Sequence, residues 1–178
     1  DILNRTITNG EMLIKNVKTT YSPSMDIQIS SNFERQLFES LNNDSNKLIS
    51  IMNTFINKKT YQLDQDIVND LSNKYKSYTV SNQEILETIK LYHNQYNYLS
   101  DPHTATGLHI LKNISNEKSH FISLACAHPA KFESAIKDSI EQLPNYPNSL
   151  KNIFEKNEKF TILDNDTNKI KEYILTKI

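Results

Sequence analysis

Asp101-Pro102-His103-Thr104-Ala105-Thr106-Gly107 and Ala127-His128-Pro129-Ala130-Lys131-Phe132 bracket one apolar run, Ser119 to Leu124. Each polar stretch reads as a loop that leaves a strand and opens a helix, and strand ends of that kind are where open α/β sheets place their ligands. The apolar run reads as a buried strand, and Pro129 suits the first position of the next helix, where a missing N–H costs nothing. Tyr96 to Leu99 reads as the strand that delivers the Asp101 loop, and Thr106 to Ile114 as the helix after it. Strand, polar loop and helix thus occur twice, and the expected fold class is α/β, helix-rich, with short strands and flanking helices.

Working outward, helices dominate. Ile29, Phe33, Leu37 and Leu41 recur at near-helical spacing behind the hydroxyls and amide of Ser30, Ser31 and Asn32, following a Tyr21-Ser22-Pro23-Ser24 turn. Leu48, Ile51, Met52 and Phe55 form a second amphipathic series, and Ile67, Leu71 and Tyr75 a third. Lys76 to Val80 alternates like a short strand. Ser81 followed by Glu84 is a capping box for a helix through Ile85, Ile89 and Tyr92. Past the Pro144-Asn145-Tyr146-Pro147-Asn148 turn, a short helix from Ser149, a strand over Lys159 to Leu163 and a helix from Asp164 through Ile174 are expected.

Composition excludes several classes. The 178 residues suit one domain with its own core. A formal net charge of -1 gives no electrostatic case for nucleic acid or an anionic membrane. One cysteine permits no internal disulfide, and no segment has the apolar length of a membrane span, so the reading is a cytoplasmic protein. With 2 glycines, Gly10 and Gly107, no glycine-rich phosphate cradle can form. His93, His103, His109, His120 and His128 show no paired ligand spacing, so no metal is expected. The opening Asp1-Ile2-Leu3, with neither methionine nor a signal pattern, reads as a start inside a larger protein.

Three patches carry candidate chemistry, each beside a plainer structural reading. Asp101-Pro102 enforces extended backbone, and His103 with Thr104 then presents an imidazole and a hydroxyl at a helix start; in the plainer reading Asp101 or Thr104 simply caps that helix. His128 precedes Pro129 as a cap, while Lys131 sits in a first turn, where the helix dipole disfavours a cation unless an anion lies nearby. Cys126 is either a small core residue or a thiol beside these groups. Ser30, Ser31, Asn32 and Arg35 can grip an anion over a helix start, or else Ser30 and Ser31 cap it and Arg35 pairs with Glu34 or Glu39.

Ser22-Pro23-Ser24-Met25-Asp26-Ile27-Gln28-Ile29-Ser30-Ser31-Asn32-Phe33-Glu34-Arg35, the Asp101-Pro102-His103-Thr104-Ala105 loop and Ala127-His128-Pro129-Ala130-Lys131-Phe132, in that order, resemble threonine synthases. Asp1-Ile2-Leu3 with Arg5 and Gly10, and Val80-Ser81-Asn82, agree more weakly. The resemblance spans nearly the whole chain and only the back portion of the family. It implies the C-terminal part of a fold-type-II enzyme that uses pyridoxal 5′-phosphate. The intact enzyme would convert O-phospho-L-homoserine and water to L-threonine and phosphate, the last step of threonine biosynthesis. The family's Schiff-base lysine and Gly-Asn-Phe-Gly phosphate loop belong upstream, so the N-terminal half of the same enzyme is the implied partner, and this chain alone is expected to be inactive.

Carried onto this sequence, the resemblance implies a catalytic part for His103 and contact with the cofactor from Cys126 and Asp101. Substrate contacts fall to Ser31, Asn32, Arg35, Thr104, His128 and Lys131. The family usually has threonine where Cys126 stands, so the group facing the pyridine nitrogen would be a weaker donor and acceptor. Two other classes stay open beside it: a non-catalytic interaction or regulatory module, and a hydrolase using Cys126, His128 and His103.

Overall fold

The computed structural model describes residues 1–114, 120–150 and 152–178. These fall into two compact units, Asp1–Pro144 and Asn145–Ile178. In the first, α1 (Ile2–Asn9) leads into β1 (Glu11–Leu13), and α2 (Phe33–Ser40) and α3 (Ser45–Lys58) precede β2 (Thr60–Gln62). Then come α4 (Gln65–Lys74), α5 (Asn82–Tyr96), α6 (Pro102–Ile114) and α7 (Glu133–Ile140). The second unit carries α8 (Thr167–Leu175).

The three apolar series form helices as their spacing requires. Leu37 of α2, Phe55 of α3 and Leu71 of α4 are almost wholly buried in one cluster with Ile2, Met12, Ile51, Ile67 and Val68. Fully burying one such side chain contributes roughly 1.5–3 kcal/mol. A second cluster joins Ile85 and Ile89 of α5, Ala105 of α6 and Ile136 of α7, with Tyr21, Val80, Leu99 and Ile140 packed against it. α5 begins in the expected capping box: Ser81 accepts from the Glu84 amide, and the Glu84 carboxylate accepts from the Ser81 amide.

The chain is helix-rich with a small sheet, but its strands lie elsewhere than the sequence reading put them. β1 and β2 pair antiparallel, Met12 opposite Tyr61. Gly10 closes α1 in the left-handed region at φ 75°; a Cβ there would come within 2.7 Å of both Gln62 Nε2 and Val68 Cγ2. This tight corner turns α1 into β1.

Lys76 to Val80, Tyr96 to Leu99 and Lys159 to Leu163 form no strands, because no neighbouring strand pairs with any of them among the described residues. Tyr96 instead ends α5, and Asn97 caps it in the left-handed region. The expected strand over Ser119 to Leu124 pairs with no other strand where described; Ser119 lies outside the described residues. Its apolar side chains are not buried: Phe121 is 38%, Ile122 86% and Leu124 77% exposed. α6 starts at Pro102 rather than Thr106, since Asp101 caps it. Pro129 opens a single 3-10 turn, Pro129–Lys131, before α7.

In the second unit the short helix expected from Ser149 is a 3-10 turn, Asn148–Leu150. α8 is capped by Asp166, whose carboxylate accepts from the amides of Asn168 at 2.9 Å and Lys169 at 3.0 Å.

Candidate functional site

The Asp101 loop lies where α5, α6 and α7 meet, and its carboxylate is almost completely buried, 1% exposed. Oδ1 accepts from the His103 amide at 2.9 Å, from His103 Nδ1 at 3.1 Å and from the Thr104 amide at 3.4 Å. Oδ2 accepts a hydrogen bond from the Thr104 hydroxyl and another from the Ala127 amide at 3.2 Å. Burial, the largest single influence, pushes the Asp101 carboxyl up. The bonds from Thr104, His103 and Ala127 together outweigh it and hold the group below the usual carboxylate range.

His103 is placed from both sides. The Ser24 amide donates to its Nε2 at 3.2 Å, so that nitrogen is an acceptor and the ring proton sits on Nδ1, directed at Asp101. Phe132 packs on the ring with centroids 4.8 Å apart. The sequence reading gives His103 a catalytic part, which meets a physical obstacle: the imidazole is buried and both of its nitrogens are engaged within the chain. Asp101 likewise spends both oxygens internally instead of offering one to a cofactor. Thr104, expected to touch substrate, is 2% exposed, and its hydroxyl accepts from the Cys126 amide at 2.8 Å.

Cys126, by contrast, is exposed, with Sγ 3.6 Å from the Leu124 carbonyl. It is therefore not the small core residue of the plainer reading. His128 is exposed too and caps the 3-10 turn, its Nδ1 accepting from the Ala130 amide at 3.1 Å. Lys131 closes that turn, exposed. Asp101, His103, Thr104, Cys126 and Ala127 thus form one network, with His128 and Lys131 following directly along the chain.

Ser31, Asn32 and Arg35 form a separate exposed patch at the start of α2, where Arg35 donates to Asn32 Oδ1 at 3.0 Å. No Arg35 ion pair with Glu34 or Glu39 occurs among the described residues. The loop that leads into this patch is bonded to the Asp101 patch. Ser22 Oγ donates to the Pro102 carbonyl at 3.2 Å, Ser24 reaches His103, and Asp26 clasps Thr20 through bonds of 2.7 Å to its amide and its hydroxyl.

Ser22, Ser24, Ala127 and Phe132 are network residues to which the sequence reading assigns no role. The Ser-Pro-Ser turn was the one local signal for the first two. Backbone amides and a ring contact leave no trace in residue type.

A family model described as "Threonine synthase, C-terminal" matches residues 104–174. Threonine synthase of Pseudomonas aeruginosa is 30% identical over 176 residues, 98% of this chain and 38% of that protein. Threonine synthase of Saccharomyces cerevisiae is 41% identical over 165 residues, 82% of this chain and 32% of that protein. The crystal structure of pyridoxal-phosphate-bound threonine synthase from Brucella melitensis superposes with a TM-score of 0.84 at 33% identity, covering 98% of this chain and 38% of that one. The chain therefore spans about a third of the length of the relatives it matches.

Proposed function

The chain belongs with the C-terminal portion of the threonine synthase family, and on that premise we propose that it forms one wall of a pyridoxal-phosphate site in an enzyme converting O-phospho-L-homoserine and water to L-threonine and phosphate. The observation that carries this reading is the anchored Cys126–Lys131 segment: an exposed thiol, imidazole and ammonium in sequence, held by a buried carboxylate, in a chain similar over 98% of its length to a cofactor-bound threonine synthase.

The donor set fits one wall of such a site. Cys126 offers a weak donor and acceptor suited to a largely neutral pyridine nitrogen. His128 and Lys131 offer hydrogen-bonding and cationic groups to a carboxylate or phosphate. Neither glycine supplies a phosphate cradle, since each backs directly onto protein atoms, Gly10 onto Gln62 and Val68 and Gly107 onto Ser123. When bound, pyridoxal phosphate supplies an electron sink for the chemistry at the substrate's carbon chain. The chain's own work is to orient: Ser31, Asn32 and Arg35 take the substrate phosphate, and the segment from Cys126 to Lys131 faces the cofactor and the amino-acid end.

The partner in this reading is the N-terminal part of the same enzyme, which the matched relatives possess in addition. The exposed Phe121, Ile122 and Leu124 support it, because an apolar stretch left open to solvent is suited to packing against a partner. Without that part the chain turns over no substrate. An exposed free thiol suits a reducing compartment, and we place the enzyme in the cytoplasm. No described helix is long and apolar enough to cross a membrane.

The test is phosphate release and threonine formation from O-phosphohomoserine by the intact enzyme that carries this chain. Turnover should vanish when pyridoxal phosphate is stripped and return when it is restored; phosphate release indifferent to the cofactor overturns the reading. Arg35→Ala should raise KM for O-phosphohomoserine by roughly 10- to 100-fold, the loss expected of a charge-assisted phosphate contact, with a smaller effect on kcat.

A further inference from the structure

We propose that Asp101, His103 and Thr104 are positioning residues: a two-sided clamp, centred on the Asp101 carboxylate, that sets the paths of the Leu124–His128 segment and the Ser22–Asp26 loop together. One side runs through Oδ2. It accepts from the Ala127 amide and from the Thr104 hydroxyl, which in turn accepts from the Cys126 amide, so two successive backbone donors of the segment end on one carboxylate–hydroxyl pair. The other side runs through Oδ1, which fixes the His103 ring at Nδ1 and so leaves Nε2 to take the Ser24 amide. Ser22 adds its hydroxyl bond to the Pro102 carbonyl beside this.

Three observations favour positioning over direct chemistry. All three side chains are almost wholly buried. Every polar atom of the carboxylate, the imidazole and the hydroxyl is used within the chain. The groups held, Cys126 and His128, are exposed. The segment needs such side-chain anchors because no strand pairs with it among the described residues.

The clamp deepens the threonine synthase reading, on which it depends only for what the segment is held to face. The bonds themselves can be tested without turnover, by amide hydrogen exchange in the intact enzyme. Thr104→Val keeps the shape but removes the hydroxyl, and should raise exchange in the peptide spanning 124–128 by roughly tenfold, the scale of one lost buried hydrogen bond. Thr104→Ser restores the hydroxyl and should return exchange to the wild-type rate. His103→Asn can still donate to Asp101 from near the Nδ1 position but offers nothing at Nε2, so exchange should rise in the peptide spanning 20–26 alone. Asp101→Asn places an N–H group against the donors on one side and keeps an acceptor oxygen on the other, and should loosen at least one of the two peptides.

Unchanged exchange at 124–128 in Thr104→Val, or failure of Thr104→Ser to restore it, overturns the clamp. So does Asp101→Asn loosening neither of the two peptides. Should Asp101→Asn not fold, the Thr104 pair and His103→Asn decide the matter between them. If the clamp holds while phosphate release proves independent of pyridoxal phosphate, the positioning role stands and the assignment of what it positions falls.

Discussion

At the scale of single residues, Asp101 is costly to bury and is kept charged by its neighbours. An isolated carboxylate out of water would take up a proton, yet the donors from Thr104, His103 and Ala127 favour the ionised form strongly enough to hold the group below its ordinary range. The folded value is therefore the lower one. Its contribution to stability is complete above the unfolded value of about 3.9 and is lost as pH falls through the folded value. The unfolding free-energy gap between wild type and Asp101→Asn should thus be flat from about pH 5 to about pH 8 and shrink only in more acidic solution, which denaturant titrations across pH measure. A gap that changed around neutrality would mean that another group, not Asp101, is titrating. His103 shows why residue type alone misleads: the sequence marks it as reactive, and only the Ser24 amide, supplied from a distant loop, reveals that its acceptor nitrogen is occupied.

At the scale of elements, α6 decides how near the 120–126 segment can come. Gly107 sits within the helix where Ala is about 1 kcal/mol more favourable, but a Cβ there would stand 2.7 Å from Ser123 Oγ. Gly107→Ala should therefore fail to stabilise. In a Ser123→Ala background the nearest atom becomes the residue-123 Cβ at 3.8 Å, an ordinary contact, and the same substitution should then gain about 1 kcal/mol in thermal or denaturant unfolding. Equal effects in both backgrounds would show that the close approach is unimportant. The helices were legible because each carries a local signal: the 3.6-residue apolar spacing of Ile51, Met52 and Phe55, or the Ser81–Glu84 box. The strands were not. Thr60–Gln62 is three residues long with one half-buried side chain, and its pairing with Glu11–Leu13 depends on a corner at Gly10 that no local pattern encodes. Phe121 to Leu124 misleads in the opposite sense, since apolar character announces burial but not which partner provides it. The candidate site was legible as a location, because Asp101, Thr104, Cys126 and His128 do lie on one network and its continuation. Which of them face inward was not, because that turns on backbone amides shared by every residue.

At the scale of the whole molecule, the clamp and the exposed stretch beside it have complementary parts. Asp101 and Thr104 fix the segment at Cys126 and Ala127, while Ile122 and Leu124 just before it remain open to solvent at 86% and 77%. A segment anchored at one end and apolar along its length is prepared to meet a partner with little further loss of conformational freedom, which is how preorganisation strengthens association. If the N-terminal part of the enzyme is that partner, charge on this face should damage assembly without harming the chain's own fold. Ile122→Asp and Leu124→Lys replace exposed side chains, so each should alter the unfolding free energy of the separate 178-residue chain by less than about 0.5 kcal/mol. In the intact enzyme the same charges would be buried without partners, and should lower its melting temperature and abolish threonine formation. Calorimetry of both forms separates the outcomes: a variant that leaves the intact enzyme as stable as wild type would show that this face stays in water and that its partner lies elsewhere.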